Sequence, residues 1–231
     1  MAYYPILMDL EGKRALVVGG GAVAERKALT LLEFGAYVDV ISRELSPSLN
    51  ALFEKGRVRW LGRYFEEEQL NGAVLVIAAT DDVSANRRVG IACHAKGIPV
   101  NVVDQPADCT FIVPAVVRRG DLLLAVSTSG RSPALARAVR EELEKRFGPE
   151  YGDFLAIMGS VREDVLSLDR DHKANRAVFQ ELVRSNLLEA VRMKDWSWAA
   201  RILTETLGTA WSEVDVRESL EQGERRAKQW R

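Results

Sequence analysis

The sequence predicts an α/β protein with a parallel sheet covered on both faces, followed by a β-hairpin with one helix and an all-helical C-terminal region. Three observations carry this reading. Short continuous apolar runs alternate with helical stretches as far as residue 104, the pattern of strands buried on both faces. Two further apolar runs, 110–117 and 122–127, are separated only by Arg118-Arg119-Gly120-Asp121, which reads as an antiparallel hairpin. The composition then breaks near Phe147-Gly148-Pro149. All seven prolines lie before residue 150, and only four of 17 glycines follow it, whereas four of the five tryptophans do. The expected divisions are therefore 1–113, 114–147 and 148–231.

The elements follow in order. Residues 14–19 form a buried strand, and a helix runs from Ala24 to Phe34 and stops at Gly35. Residues 37–42 and 74–79 are the next strands. A helix from about Ser84 to Lys96 ends at Gly97, and residues 98–103 return as a strand. After the hairpin, Pro133 takes the first helical position behind Ser132 as N-cap, and that helix runs to about Phe147. In the tail, Leu182, Leu187, Leu188 and Val191, then Ile202, Leu203 and Leu207, recur at helical spacing. The tail tryptophans Trp196, Trp198, Trp211 and Trp230 are expected to fill a small helical core.

Composition excludes several classes. Hydrophobic residues make up 47% and charged residues 28% of 231 residues, which removes disordered and disulfide-scaffold chains. Basic and acidic side chains nearly cancel, at 32 and 33, so no basic footprint for nucleic acid exists. No apolar run is long enough for a membrane span, and residues 1–10 carry no basic segment ahead of an apolar stretch. Cys93 and Cys109 form no CxxC pair, and His94 and His172 are the two histidines, so a permanent metal site is not expected. A cytoplasmic location is the expectation that follows.

The sharpest motif is Gly19-Gly20-Gly21-Ala22-Val23-Ala24, which matches G-x-G-x-x-[GA] between a strand and a helix. The first glycine makes the turn, Gly21 lets backbone approach a pyrophosphate, and Ala24 permits close helix–sheet packing. Free N–H groups at the helix start then face the phosphates. This makes the sheet Rossmann-like and the expected cofactor NAD or NADP. The acid that should follow the second strand is displaced. Asp39 lies within the strand, whose end is Ser42-Arg43-Glu44. Ser42 and Arg43 suit a 2′-phosphate and Glu44 suits free ribose hydroxyls, so spacing leaves both cofactors open.

Ala79-Thr80-Asp81-Asp82 closes a strand at the sheet's ligand edge, with Thr80 and Asp81 as candidate cofactor contacts and Asp82 or Ser84 as a helix cap. Asp104 closes the next strand; on spacing alone it reads as a turn aspartate before Pro106. Ser127-Thr128-Ser129-Gly130-Arg131-Ser132-Pro133 combines hydroxyls, a glycine, an arginine and a helix start, which suits an anion. Arg137 and Arg140 follow on that helix, and Arg118 and Arg119 stand on the hairpin.

Together these blocks resemble the precorrin-2 dehydrogenases, the N-terminal module of siroheme synthases. The resemblance rests on Gly19-Gly20-Gly21-Ala22-Val23-Ala24-Glu25-Arg26-Lys27, Ala78-Ala79-Thr80-Asp81-Asp82, Asn101-Val102-Val103-Asp104, Phe111-Ile112-Val113-Pro114-Ala115 and Ser129-Gly130-Arg131-Ser132-Pro133-Ala134-Leu135-Ala136-Arg137. It covers roughly residues 3–147. It implies NAD-dependent oxidation of precorrin-2, a tetrapyrrole polycarboxylate, to sirohydrochlorin. Some members also insert Fe²⁺, which would make iron a substrate here. The resemblance gives Asp104 the role of general base, with transient metal handling as a second use. It places Ala22 and Val23 on the pyrophosphate and Arg43 and Glu44 on the adenosine ribose. Substrate carboxylates fall to Arg118, Arg119, Ser129, Gly130, Arg131 and Arg137.

The resemblance further implies a homodimer formed through residues 114–147. Thr128 stands where some members carry a phosphorylated serine. The 84 residues after Phe147 leave no room for a methyltransferase domain, so a stand-alone enzyme is the expectation. The rival of another class is an NAD(H)-sensing regulatory module, which would show no turnover.

Overall fold

The computed structural model describes residues 3–167 and 171–229. It divides into two compact units, the first ending at Val113 and the second beginning at Pro114.

The first unit runs β1 (Arg14–Val18), α1 (Ala22–Glu33), β2 (Tyr37–Ile41), α2 (Pro47–Glu54), β3 (Val58–Gly62), β4 (Leu75–Ala78), α3 (Val83–Lys96) and β5 (Val100–Val102). All five strands are parallel, in the order β3-β2-β1-β4-β5. Alternation along each strand feeds two cores. Ala15, Val17, Val38, Val40, Leu75 and Ile77 pack with Ala24, Ala28 and Leu31 of α1 and Leu49 of α2. Leu16, Val18, Val76, Ala78, Val100 and Val102 pack with Val89, Ala92 and Cys93 of α3. Each fully buried Leu or Val contributes about 1.5–3 kcal/mol, and these two cores are built almost wholly from apolar side chains.

Two elements of this unit escape a periodicity reading. Ser46 caps α2 by accepting the Leu49 N–H, with Pro47 at the first helical position, but the helix is only eight residues long. β3 is an edge strand whose apolar run is broken by Arg59. The opposite edge, β5, is shorter than the sequence suggests and is finished by side chains. The Val100 N–H donates to Thr110 Oγ1 (2.7 Å) while Thr110 N–H donates to the Val100 carbonyl (2.9 Å). Two residues on, the Val102 N–H donates to Cys109 Sγ (3.1 Å) and that thiol donates back to the Val102 carbonyl (3.2 Å).

The second unit opens with the hairpin β6 (Ala115–Arg119) and β7 (Leu122–Val126), then α4 (Pro133–Arg146). The hairpin differs from the sequence reading. Its first strand starts at Ala115, because Thr110 is engaged with Val100 and Pro114 has no N–H to donate. Arg118 and Arg119 are strand residues, and the turn is Gly120-Asp121 alone, with Gly120 at φ +57°. Five helices follow: α5 (Glu150–Ser167), α6 (His172–Arg184), α7 (Leu187–Met193), α8 (Trp196–Leu207) and α9 (Glu213–Gln229). Their core holds Ile157, Val161, Leu182, Leu187, Val191, Leu203 and Leu207, with Trp196, Trp198 and Trp211 packed against it. Trp230 lies outside the described residues.

Candidate dinucleotide site

The order of the sheet reverses between β1 and β4, and ligands of open α/β sheets bind at the carboxyl ends of the strands beside such a point. A cavity of about 1150 Å³ opens there. It is lined by the Gly19–Val23 turn, by Ser42, Arg43 and Glu44 after β2, by Thr80, Asp81 and Asp82 after β4, and by Asp104 after β5. Every cofactor candidate read from the sequence in this unit therefore lines one cavity, and so does Asp104.

The three glycines of the turn have different physical reasons. Gly19 has φ +132°, and a Cβ there would lie 2.7 Å from the Ala79 carbonyl carbon. Gly20 occupies the unspecified position of the motif, yet a Cβ on it would strike the Glu44 carbonyl oxygen and the Ser42 side chain. Its carbonyl accepts the Ser46 N–H (2.9 Å), which ties the turn to the start of α2. Of the three, Gly21 alone has open space for 4 Å around the place a Cβ would take. The space beside it belongs to the cavity rather than to the protein.

Gly21 is the N-cap of α1 and supplies no side-chain hydrogen bond, whereas Ser46, Asp82, Ser132, Asp171 and Asp195 each cap their own helix through a side chain. The nearest acid, Glu25, accepts the Ser46 hydroxyl (2.6 Å). The first N–H groups of α1 are thus left for a ligand, with the positive end of the helix dipole behind them. These residues fit a dinucleotide. We expect Gly21→Asp to fold normally, since Cβ space is free and Asp is a good N-cap, while its carboxylate excludes the pyrophosphate. Calorimetry should find no NAD⁺ binding at an unchanged or slightly raised melting temperature; wild-type affinity would remove the assignment.

Asp39, within β2, does not line the cavity. It is 4% exposed and takes Arg14 Nε (2.5 Å), Arg59 Nε (2.9 Å) and Arg59 Nη2 (2.8 Å). Burial pushes its carboxyl up, but the hydrogen bonds from Arg59 and Arg14 outweigh it and hold it below its ordinary value. At the tip of β2, Ser42 Oγ donates to the Glu44 carbonyl (2.5 Å).

The β4 tip is shaped by Asn86, which is 3% exposed. Its Oδ1 accepts the Thr80 N–H (3.0 Å) and hydroxyl (2.7 Å), and its Nδ2 donates to the Thr80 carbonyl (2.8 Å). Asp82 caps α3 by accepting the Ser84 and Ala85 N–H groups. The Thr80 hydroxyl is engaged inside this loop, so Thr80 builds the cavity wall. Asn86 was not singled out in the sequence; its signal is a polar residue at a core-facing position of α3. Asp104 has φ +59°, a conformation rare outside glycine, asparagine and aspartate, and it turns the chain at the cavity's rim. Arg63, Tyr64, Phe65 and Arg88 also line the cavity without having been read from the sequence. The first three follow β3, the strand that periodicity missed.

The anion-binding candidates of the second unit lie on β6, on the β7–α4 loop and on α4. Ser129 (φ +53°) and Gly130 (φ +79°) are consecutive left-handed residues. The Thr128 hydroxyl is held by the Ser132 N–H and carbonyl, both at 3.0 Å. Arg119 donates to the carbonyls of Phe147 (2.9 Å), Arg118 (3.0 Å) and Glu144 (3.3 Å), serving the open end of α4. Arg118 Nε donates to the Gly120 carbonyl. Arg137 pairs with Glu141 (2.9 Å), and Arg140 with Glu141 and Glu144. Arg131 is exposed on the loop. Among the described residues no cluster of three His, Cys, Asp or Glu side chains could hold a metal, and no helix is long and apolar enough to cross a membrane.

Fold and cavity together define a dinucleotide-binding protein of the Rossmann-like class. A family model described as putative NAD(P)-binding matches residues 6–115, and one described as the central part of a sirohaem biosynthesis protein matches residues 119–146. Siroheme synthase of Methylobacillus flagellatus is 44% identical over 191 residues, spanning 83% of this chain and 41% of that protein. The Pseudomonas aeruginosa (strain LESB58) siroheme synthase is 40% identical over 207 residues, spanning 90% of this chain and 44% of that protein. The chain thus spans less than half the length of the curated relatives it matches. Among solved structures, the precorrin-2 dehydrogenase SirC superposes with a TM-score of 0.69 at 26% identity, covering 96% of this chain and 100% of that one. The chain is thus similar to siroheme synthases over most of its own length and to the precorrin-2 dehydrogenase SirC in fold.

Proposed function

We propose that the chain is an NAD-dependent precorrin-2 dehydrogenase, oxidising precorrin-2 to sirohydrochlorin in siroheme biosynthesis. One observation carries the reading: the uncapped N-terminus of α1 opens, past Gly21, on a cavity whose rim also holds Asp104. The likeness to SirC and to the siroheme synthases supports the substrate.

Bound NAD⁺ would supply the hydride acceptor. The backbone N–H groups of Ala22 and Val23 would hold its pyrophosphate. The Ser42 hydroxyl is already committed to the Glu44 carbonyl, and no hydrogen bond or ion pair involves the Glu44 carboxylate among the described residues, which favours free ribose hydroxyls over a 2′-phosphate. Asp104 would take the proton that leaves the substrate with the hydride. The protein's share is orientation of two bound partners plus one well-placed carboxylate.

Residues 114–147 would pair two copies. Leu122, Leu123 and Leu124 on β7 are only half-buried, and a two-stranded sheet is marginal without further cover. Light scattering should give twice the chain mass; a monomer at micromolar concentration would end that part of the reading. The activity is tested anaerobically with precorrin-2 and NAD⁺, following NADH and the sirohydrochlorin spectrum together. Both should rise in step. Folded protein that raises neither, with NADP⁺ failing too, would make the chain a nucleotide sensor.

A further inference from the structure

The reaction proposed above needs a grip on a substrate rimmed with carboxylates, and the sequence offers the arginines of the second unit for it. Arg119, however, spends its donors on three carbonyls, and Arg137 and Arg140 are paired with Glu141 and Glu144. The dinucleotide cavity contains its own candidate. Arg88 stands on α3, three residues beyond Ala85, and both line the cavity. Residues three apart share a helix face. Asn86, Val89, Gly90 and Cys93 form the buried side of α3, and Arg88 is not among them. Arg88 is exposed to the cavity and has no hydrogen bond or ion pair among the described residues.

Its place along the sheet decides what it would meet. Arg43 and Arg63 follow β2 and β3, on the adenosine side of the switch point. Arg88 lies on the β4–β5 side, with Asp104. The acid nearest in sequence, Asp82, is turned onto the Ser84 and Ala85 N–H groups as the helix cap, so it does not neutralise the guanidinium. An unpaired guanidinium lining the same cavity as the proposed base is a fork matched to a carboxylate.

We propose that Arg88 binds a carboxylate of the tetrapyrrole and thereby sets which edge of the ring faces Asp104. This rests on the dehydrogenase reading. The test compares Arg88→Ala and Arg88→Lys with wild type. Initial rates give the precorrin-2 KM at saturating NAD⁺. Calorimetry gives the Kd for NAD⁺ and, separately, for sirohydrochlorin as a turnover-independent probe. Arg88→Ala should raise the precorrin-2 KM and the sirohydrochlorin Kd about 10–100-fold, the worth of a charge-assisted pair, with the NAD⁺ Kd unchanged. Arg88→Lys should fall between, keeping charge but losing the fork. Unchanged substrate KM in an active Arg88→Ala overturns this assignment alone, and an equal loss of NAD⁺ affinity gives Arg88 to the cofactor instead. Wild type that neither oxidises precorrin-2 nor binds sirohydrochlorin overturns the dehydrogenase reading and Arg88 with it.

Discussion

Asp104→Asn is expected to bind NAD⁺ with wild-type affinity and to lose about 10²–10⁴ of its turnover, the usual contribution of a positioned acid or base. The backbone makes this substitution informative. Asp104 sits at φ +59°, where alanine would strain the turn but asparagine is at home. The loop around it is fixed independently, through the Gln105 N–H on the Val102 carbonyl (3.3 Å) and the Cys109 thiol on the carbonyls of Val102 (3.2 Å) and Gln105 (3.4 Å). Asparagine therefore removes the proton acceptor and leaves its frame. Single-turnover rates with precorrin-2, together with NAD⁺ calorimetry, separate the two effects. Near-normal turnover would reduce Asp104 to a turn residue.

Asp39→Ala should cost about 3–5 kcal/mol of stability, the scale for breaking one side of a buried ion pair. Asp39 is the buried member, at 5% side-chain exposure, and it joins three strands: Arg14 of β1, its own β2, and Arg59 of β3. Arg14 reaches further, donating to the carbonyls of Asn71 (2.6 Å) and Gln69 (2.8 Å), so the segment before β4 hangs on the same guanidinium. Removing the carboxylate leaves Arg14 four-fifths buried without its anion. Urea unfolding should show a lower midpoint at an unchanged slope. The pH dependence has a definite sign. The folded carboxyl is held below its ordinary value, so its contribution is complete above about pH 4 and is lost as pH falls through the folded value. Asp39→Asn should therefore lose part of the acid limb of the stability profile. An unaltered acid limb would mean that the pair contributes little.

The parallel sheet and its turn were legible because their causes are local. β1 and β4 are continuous apolar runs, and Gly19 and Gly21 follow directly. What was illegible depends on partners distant in sequence. Arg59 looks like a break in an apolar run until Asp39, 20 residues earlier, is placed beside it. Gly20 looks optional until the chain at residues 42–44 folds back against it. Arg119 reads as a surface charge because the carbonyls that hold it lie 25 and 28 residues on. Asn86 declares itself only when Thr80 is seen to need three partners at once. The candidate site was readable as a set of strand tips, and its walls were not.

The finished edge of β5 also bears on aggregation. An open strand edge recruits other strands, and a protein that exposes one risks endless stacking. Here both outward N–H groups of β5 are already consumed, by a threonine hydroxyl and a thiol on the returning chain. No foreign strand can add there without first evicting Cys109 and Thr110. The large sheet is sealed on that flank against runaway growth, so any backbone pairing between copies would have to use another border, such as the outer sides of the hairpin.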